Sequence, residues 1–226
     1  MNGFRGAQRD DRAPRAGRLP VRAPIAALFS TLLSALVTAL VCATSPPAQA
    51  QLATYVFDPE HSFVHFEVLH FNTSTLRGRF GPISGAVKLD PAAGLGELSL
   101  RIPTAGVDTG LKIFDARLRR DDLLASDAHP EAFFVARQFR YTGGQLVEVR
   151  GEFTWRGVSQ PLSLRTTRFA CRPGGDANTD ADKDGTRVCG GDFEGELKRS
   201  DFGATFALPF VADTVRLVVQ VQGTRR

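Results

Sequence analysis

An alternation of apolar and polar side chains runs through most of this chain, and it constrains the fold more than any other feature. Within residues 62–70, Val64, Phe66 and Val68 alternate with His65 and Glu67. Successive side chains of a β-strand point to opposite faces, so this period of two predicts a strand with one buried face. The alternation recurs in seven further segments, near residues 83–89, 97–102, 133–135, 147–153, 162–164, 193–197 and 215–221.

About eight strands of this kind predict an all-β domain. Strands with one apolar and one polar face form antiparallel sheets with a single buried side. Closing eight of them into a barrel removes the exposed edges, so we favour a barrel over the alternative of a two-sheet sandwich. Residues 111–124 break the period, because Leu111, Phe114 and Leu118 are spaced as in a short helix, which ends before Pro130.

The first fifty residues have the features of a leader rather than of a folded domain. Arg15, Arg18 and Arg22 precede an uncharged stretch at residues 25–41, and small residues follow up to Ala50. This order is typical of a secretory signal peptide, so we assign residues 1–50 to a signal peptide.

Cleavage after Ala50 would leave residues 51–226 as one domain in the periplasm or outside the cell. Two alternatives stay open, a transmembrane anchor and a lipoprotein acylated at Cys42. The residue before an acylated cysteine is normally small, whereas here it is Val41.

The net charge of +4 belongs to the leader, which carries six Arg and two Asp. Residues 51–226 therefore contain equal numbers of acidic and basic side chains, and they include no run of Lys or Arg. We expect no nucleic-acid partner, because such proteins present a basic patch to phosphates.

Cys171 and Cys189 form an even pair in a domain that we expect to be exported, which predicts a disulfide bond. The bond would close an acidic loop at residues 171–189 and stabilise the fold by about 3 kcal/mol. Within that loop, residues 180–185 resemble the first half of a calcium loop, but the twelfth position is Gly191 rather than Glu. We therefore expect a solvated loop and no metal site.

Catalytic motifs are lacking in the sequence. His61, His65, His70 and His129 are the four histidines, and His70 falls on the strand face opposite His65. No nucleophile elbow accompanies them, and both cysteines of the domain are expected to be paired. We expect no catalytic residue and no cofactor, and a metal-dependent enzyme that uses the histidines or the acidic loop is the alternative.

Most aromatic residues are phenylalanine, because residues 51–226 hold fifteen Phe but only two Tyr and one Trp. Phenylalanine adds bulk without a demand for hydrogen bonds, so a Phe-rich barrel interior suits a hydrocarbon guest. The pattern alone leaves open whether the interior is hollow or filled by side chains.

Several short motifs, taken in order, resemble the YceI-like family over residues 54–221. They are His61-Ser62 with Val64, Phe66, Val68 and His70; Arg77-Gly78 with Phe80; residues 85–90; residues 107–110 with Asp115 and Leu118; residues 130–133; residues 151–162; and residues 199–203. Each motif is weak alone, whereas their order and spacing are specific. Leu123-Leu124 depart from the family, which usually has an aromatic pair there, and so does His129, where an aromatic residue is common.

The resemblance implies an extended, lipocalin-like, eight-stranded antiparallel barrel with a short helical element. It also implies a periplasmic or secreted protein that binds a long-chain amphiphile: a polyisoprenoid, an isoprenoid quinone or a fatty-acid derivative. A ligand-free structural or stress-protective envelope protein is a further alternative. Two further interactions are left open: transient contact with a membrane and formation of a homodimer.

Ligand-binding candidates follow from the inward faces of the expected strands, with polar groups near the strand ends. The residues that we expect to contact the ligand are Ser62, Val64, Phe66, Val68, His70, Leu98, Leu100, Phe133, Val147, Val149, Phe153, Leu217 and Val219.

Overall fold

A computed structural model describes residues 52–174 and 187–226 of the chain. The predicted signal peptide at residues 1–50 and the calcium-like run at residues 180–185 lie outside these ranges. The described residues form eleven strands and one α-helix: β1 Ala53–Phe57, β2 Phe63–His70, β3 Ser74–Phe80, β4 Ser84–Asp90, β5 Leu95–Pro103, β6 Val107–Asp108, α1 Lys112–Leu118, β7 Glu131–Thr142, β8 Gln145–Trp155, β9 Val158–Pro173, β10 Arg187–Lys198 and β11 Val211–Arg225.

The strands form a closed antiparallel barrel, because β11 pairs with β10 along one edge and with both β1 and β2 along the other. β1 and β2 therefore occupy one position in the barrel, as two parts of an interrupted strand. β3 and β4 do the same beside them, and so do β5 and β6. Counted in this way the barrel has eight strands, and the expected eight-stranded antiparallel barrel with a short helix is confirmed.

The interruption between β1 and β2 is bridged by Ser62. Its hydroxyl accepts a hydrogen bond from the backbone N–H of Gln222 at 3.1 Å and lies 3.3 Å from the carbonyl of the same residue. The N–H of Asp58 donates to that carbonyl at 2.8 Å. Ser62 is fully buried, and it bonds the backbone of Gln222 on the edge of β11 where neither β1 nor β2 pairs with that residue.

The barrel wall is open between β6 and β7, because β7 begins at Glu131 and pairs only with β5 on that side. The helical segment, residues 111–124, lies beside this opening. The helix itself is shorter than this predicted span, since α1 ends at Leu118. Beyond that point the guanidinium of Arg156 donates to the carbonyls of Asp121 and Leu123 at 2.6 and 2.8 Å, so these carbonyls do not continue a helix.

Two predicted inward residues are not buried in the barrel interior. Phe133 was expected in the interior, but its side chain is 36% exposed and Phe134 is buried instead. Phe134 lies directly opposite Leu100 on β5 and Phe153 on β8, both buried, so these neighbours determine which face of β7 is inside.

Val147 was also expected to face inward. A shift of register between Arg140 and Tyr141 on β7 leaves Val147 without a partner on that strand. Leu146 and Val149 are buried on either side of this irregularity, and Val147 is half-buried. A bulge inserts one extra residue into a strand, so a strict period of two does not hold across it and does not predict the burial of the inserted residue.

The predicted disulfide is confirmed, because Cys171 on β9 and Cys189 on β10 are directly paired across the two strands and bonded. The bond lies at the base of the acidic loop, of which residues 175–186 are outside the described ranges. In the described part of the chain, no helix has both the length and the apolar character needed to cross a membrane.

Candidate ligand cavity

The barrel contains a cavity of about 400 Å³, called here the upper cavity. Its size falls within the range of about 300–1,000 Å³ that is usual for ligand pockets. Inward side chains of β2, β9 and β11 line much of it: Val64, Phe66 and Val68; Leu162 and Leu164; and Val215, Leu217 and Val219. Because these side chains are hydrocarbon, the cavity offers dispersion contacts and almost no hydrogen bonds to a guest.

The wall beside β3 depends on a glycine. A Cβ atom at Gly78 would lie 2.5 Å from the ring of Phe66, so only glycine leaves room for this ring. The Phe66 ring also packs against Phe80 at a centroid distance of 5.4 Å. The Arg77-Gly78-x-Phe80 motif thus has a packing role in the cavity wall.

The cavity opens between the helical segment and the segment that precedes β11. Phe71 and Phe206 line the cavity and are 54% and 48% exposed, so they lie at its mouth. Phe210 is 62% exposed and stacks on Phe71 at 5.7 Å. Phe71, Phe206 and Phe210 are called the rim. The guanidinium of Arg117 lies 4.1 Å above the ring of Phe206 at this opening, and it is paired with the carboxylate of Asp122 at 2.7 Å.

A buried arginine holds the segment that carries two of the rim residues. The Arg199 guanidinium donates four hydrogen bonds of 2.6–2.9 Å to backbone carbonyls, those of Ala204, Phe206, Val211 and Ala212. Burial lowers the pKa of Arg199, and the negative charge of Asp213 opposes that shift. Asp213 in turn accepts hydrogen bonds from the backbone and hydroxyl of Ser200.

Arg156 has the corresponding role on the opposite side of the mouth. Besides the carbonyls of Asp121 and Leu123, it donates to the carbonyl of Phe202 at 3.0 Å. Arg156 thereby connects the segment after α1 to the turn after β10. Both arginines belong to motifs that resemble the family, but the sequence does not identify them as mouth residues, because an isolated Arg in a polar turn has no pattern that predicts its contacts.

Most of the predicted ligand-binding residues line one of two cavities. Those that line the upper cavity are Val64, Phe66, Val68, His70, Leu100, Phe153, Leu217 and Val219. Leu98 and Val149 line a smaller cavity of about 60 Å³, called the lower cavity. Ser62, Phe133 and Val147 line neither. Contact between any of these residues and a ligand stays a prediction.

The part of the cavity that is not built from strands was not predicted from the sequence. Phe114, Leu118, Leu123 and Leu124 from the helical segment, with Phe206 and Ala207 before β11, line the upper cavity. No alternation marks such segments. The only available signal was the helical spacing of residues 111–124, which indicates an apolar face without saying what covers it.

Histidines do not form a common site in the described ranges. His61 is exposed and its Nδ1 lies 2.6 Å from a carboxylate oxygen of Asp58. His65 is on the outer face of β2, whereas His70 lines the upper cavity beside the ring of Phe71. Residues 52–174 and 187–226 contain no group of three His, Cys, Asp or Glu side chains suited to a metal ion.

Known proteins resemble this chain over the whole barrel. The family model described as the YceI-like domain matches residues 55–223. Protein YceI of Shigella flexneri is 30% identical over 182 residues, which cover 78% of this chain and 90% of that protein. A UPF0312 protein of Azotobacter vinelandii is 31% identical over 186 residues, which cover 79% and 90% respectively.

Solved structures share the architecture. A Campylobacter jejuni YCEI protein superimposes with a TM-score of 0.56 at 25% identity, over 70% of this chain and 89% of that one. Burkholderia cenocepacia BcnA gives a TM-score of 0.58 at 22% identity, over 74% and 98%. A domain from Saccharophagus degradans described as polyisoprenoid binding gives 0.54 at 18% identity, over 78% and 100%. At these lower identities the likeness shows the fold alone.

Proposed function

Because the chain belongs to the YceI-like family, we propose that its barrel binds one long-chain amphiphile, an isoprenoid or a related lipid, with the tail in the upper cavity. The observation that carries the proposal is a cavity of about 400 Å³ with an almost wholly hydrocarbon wall. A barrel filled by side chains, as the ligand-free alternative requires, would not leave this space.

The hydrophobic effect supplies the binding energy. Burial of a methylene group contributes about 0.8 kcal/mol, so a tail with roughly ten buried methylenes gains about 8 kcal/mol before the costs of association. A polar guest would gain less, because the wall cannot replace the hydrogen bonds that such a guest makes with water. The polar head of the amphiphile would lie at the mouth, near His70 and Arg117, which both line the cavity.

The isoprenoid class comes from the family resemblance. A structural neighbour with the same fold, the Saccharophagus degradans domain, is described as polyisoprenoid binding. We assign no catalytic residue and no cofactor. No observation on residues 52–174 and 187–226 favours the metal-dependent enzyme, since their histidines do not converge on one site.

The place of action that we propose is the periplasm or another compartment outside the cytoplasm. A disulfide between Cys171 and Cys189 suits an oxidising compartment, as does the signal peptide expected at residues 1–50. The rim exposes three aromatic rings around the mouth, and exposed apolar patches of this kind are typical of interaction sites. We propose that the rim contacts a membrane transiently when the ligand enters or leaves. The cavity lies within a single chain, and the homodimer stays a prediction.

The test is to fill the upper cavity and measure ligand binding. Val68 faces the cavity and Leu69, the next residue on β2, is 42% exposed on the outer face. The change Val68→Trp should occupy the cavity and weaken binding of an added prenol by at least about tenfold, the equivalent of roughly two methylene groups. Leu69→Trp adds the same side chain outside the barrel and should leave binding unchanged.

Native mass spectrometry of the protein produced in a bacterial periplasm would report both the lipid retained on purification and the uptake of added prenols. Retained or added isoprenoid that is lost in Val68→Trp and kept in Leu69→Trp supports the proposal. Protein that carries no lipid and takes up no prenol would overturn it.

A further inference from the structure

The lower cavity lies below the upper cavity and is separated from it by side chains that belong to both. Four side chains line both cavities, and each presents one surface to either space: Leu100, Phe134, Leu164 and Val219. These four residues are called the partition. Phe134 is 2% exposed, and the other three are also buried.

The partition draws one side chain from each of four strands, β5, β7, β9 and β11. Leu100 and Phe134 are directly paired across β5 and β7. All four belong to a single buried hydrophobic cluster. The partition is therefore made of side chains, which can change rotamer.

Aromatic rings packed on glycines line other parts of the lower cavity. The ring of Phe139 lies on Gly96, where a Cβ atom would be 2.5 Å from the ring. The ring of Phe193 lies on Gly191 in the same way, at 2.8 Å. The disulfide residue Cys189 contributes to the wall as well. Because glycine backbone supports these rings, the partition is the more deformable boundary of the lower cavity.

We propose that the lower cavity is a second subsite for the far end of a hydrocarbon tail, and that the partition determines the tail length that the barrel accepts. This inference rests on the proposed function. A tail that ends in the upper cavity leaves the partition closed, whereas a longer tail has to displace Phe134 or Leu164 to reach the apolar space beneath. The ligand class that the lower cavity would take is the terminal unit of an unbranched or isoprenoid chain, because its lining is apolar.

The test compares two leucines on β9 that differ in one respect. Leu164 belongs to the partition, whereas Leu162 lines only the upper cavity, and the two are 5% and 6% exposed. Affinities of the full chain are measured for linear prenols, from farnesol through geranylgeraniol to longer polyprenols. We expect the wild-type affinity to rise with length until the tail reaches the partition and then to level off.

Leu164→Ala should extend that rise to longer prenols. At the first prenol beyond the wild-type plateau it should improve the affinity by about tenfold relative to Leu162→Ala, the equivalent of burying roughly two more methylene groups. Identical plateaus in Leu164→Ala and Leu162→Ala would overturn the inference while leaving the proposed function intact. Absence of binding by the wild-type chain at every length would overturn both.

A second pair of variants covers the case in which Leu164→Ala fails to fold. Val219→Ala removes less volume from the same partition and should lengthen the accepted tail in the same direction. Leu98 lines only the lower cavity, so adding Leu98→Phe to either variant should fill the lower space and restore the wild-type plateau. A plateau that stays extended after Leu98→Phe would contradict a subsite in the lower cavity.

Discussion

Arg199 shows at the scale of one residue how a charge can be buried without a directly bonded carboxylate. Its side chain is 5% exposed, and four of its five N–H groups donate to carbonyls of residues 204–212. Carbonyl dipoles replace the water that the cation loses, and the planar fork of donors suits several acceptors at once. The same bonds hold a segment that has little regular structure of its own and carries Phe206 and Phe210.

We predict that Arg199→Met lowers the free energy of unfolding by about 3 kcal/mol, because it leaves several buried carbonyls without donors. Arg199→Lys should cost less but still destabilise, since an ammonium group has three donors at one point and cannot reach all four carbonyls. Urea unfolding measures the free energy of unfolding of both variants, and hydrogen exchange at residues 204–212 should accelerate in each.

The control for this prediction is Arg168→Met, because the Arg168 side chain is 80% exposed and 4.0 Å from Asp192. It should change stability by no more than about 0.5 kcal/mol. Equal stabilities of Arg199→Met and the wild type would show that the mouth segment is held in another way.

At the scale of strands, the outer face of the barrel is joined by ion pairs that cross five strands. Glu67 on β2 accepts hydrogen bonds from Arg77 on β3 at 2.8 Å and from Arg216 on β11 at 2.7 Å. Arg216 also contacts Glu194 on β10 at 3.0 Å, and Glu194 pairs with Arg165 on β9 at 2.6 Å. These are cross-strand pairs of opposite charge, which favour the observed register.

We predict a contribution of this network to acid sensitivity. The hydrogen bond from Arg77, and then that from Arg216, lowers the pKa of Glu67 from its usual 4.5. The unfolded chain therefore binds the proton first as pH falls, so the stabilisation is complete above pH 4.5 and is lost as pH falls towards the folded pKa. Glu67→Gln should reduce the loss of stability on acidification.

The effect should be at most about 1 kcal/mol, because exposed ion pairs contribute little. Thermal unfolding across a pH series measures it, with Glu152→Gln on the exposed face of β8 as the control. If stability falls steeply on acidification and the fall is unchanged in Glu67→Gln, other carboxyl groups are responsible for it.

On the scale of the whole molecule, the interrupted strands, the helical segment and the rim together give the barrel two unlike ends. One end opens among exposed phenylalanines beside the gap between β6 and β7. The lower cavity lies towards the disulfide, among rings packed on glycine. A ligand that enters from a membrane would therefore pass the rim first.

We predict that Phe210→Ser slows the uptake of a fluorescent prenol from phospholipid vesicles by about fivefold, the equivalent of about 1 kcal/mol of lost apolar contact. Phe210 is at the rim but does not line the cavity, so the affinity of the Phe210→Ser variant for the same prenol in detergent should be unchanged. Val135→Ser, on the outer wall of β7 and 44% exposed, is the control and should leave both measurements unaffected. Uptake that is equally fast in Phe210→Ser would argue against a rim that contacts the membrane.

Period-two alternation predicted an all-β domain and the inward faces of β2 and β11, and the even pair of cysteines in an exported domain predicted the bond between Cys171 and Cys189. Those features depend on local chemistry, because a strand with one apolar face has only one face that it gains by burying away from water. The same reasoning fails where both faces are apolar. Phe133 and Phe134 are adjacent and equally hydrophobic, so only their partners across β5 and β8 determine which one is inside.

The tertiary structure decided everything that depends on how the strands close. Ser62 bridges an interruption that exists only because β1 and β2 share one edge of β11. Val147 is half-buried because it is the extra residue of β8 at a register shift between β7 and β8. The upper cavity exists because the inward side chains, although they are large, do not fill the space that the closed barrel encloses. That space is set by the arrangement of all the strands and the helical segment together, and no local pattern along the chain records it.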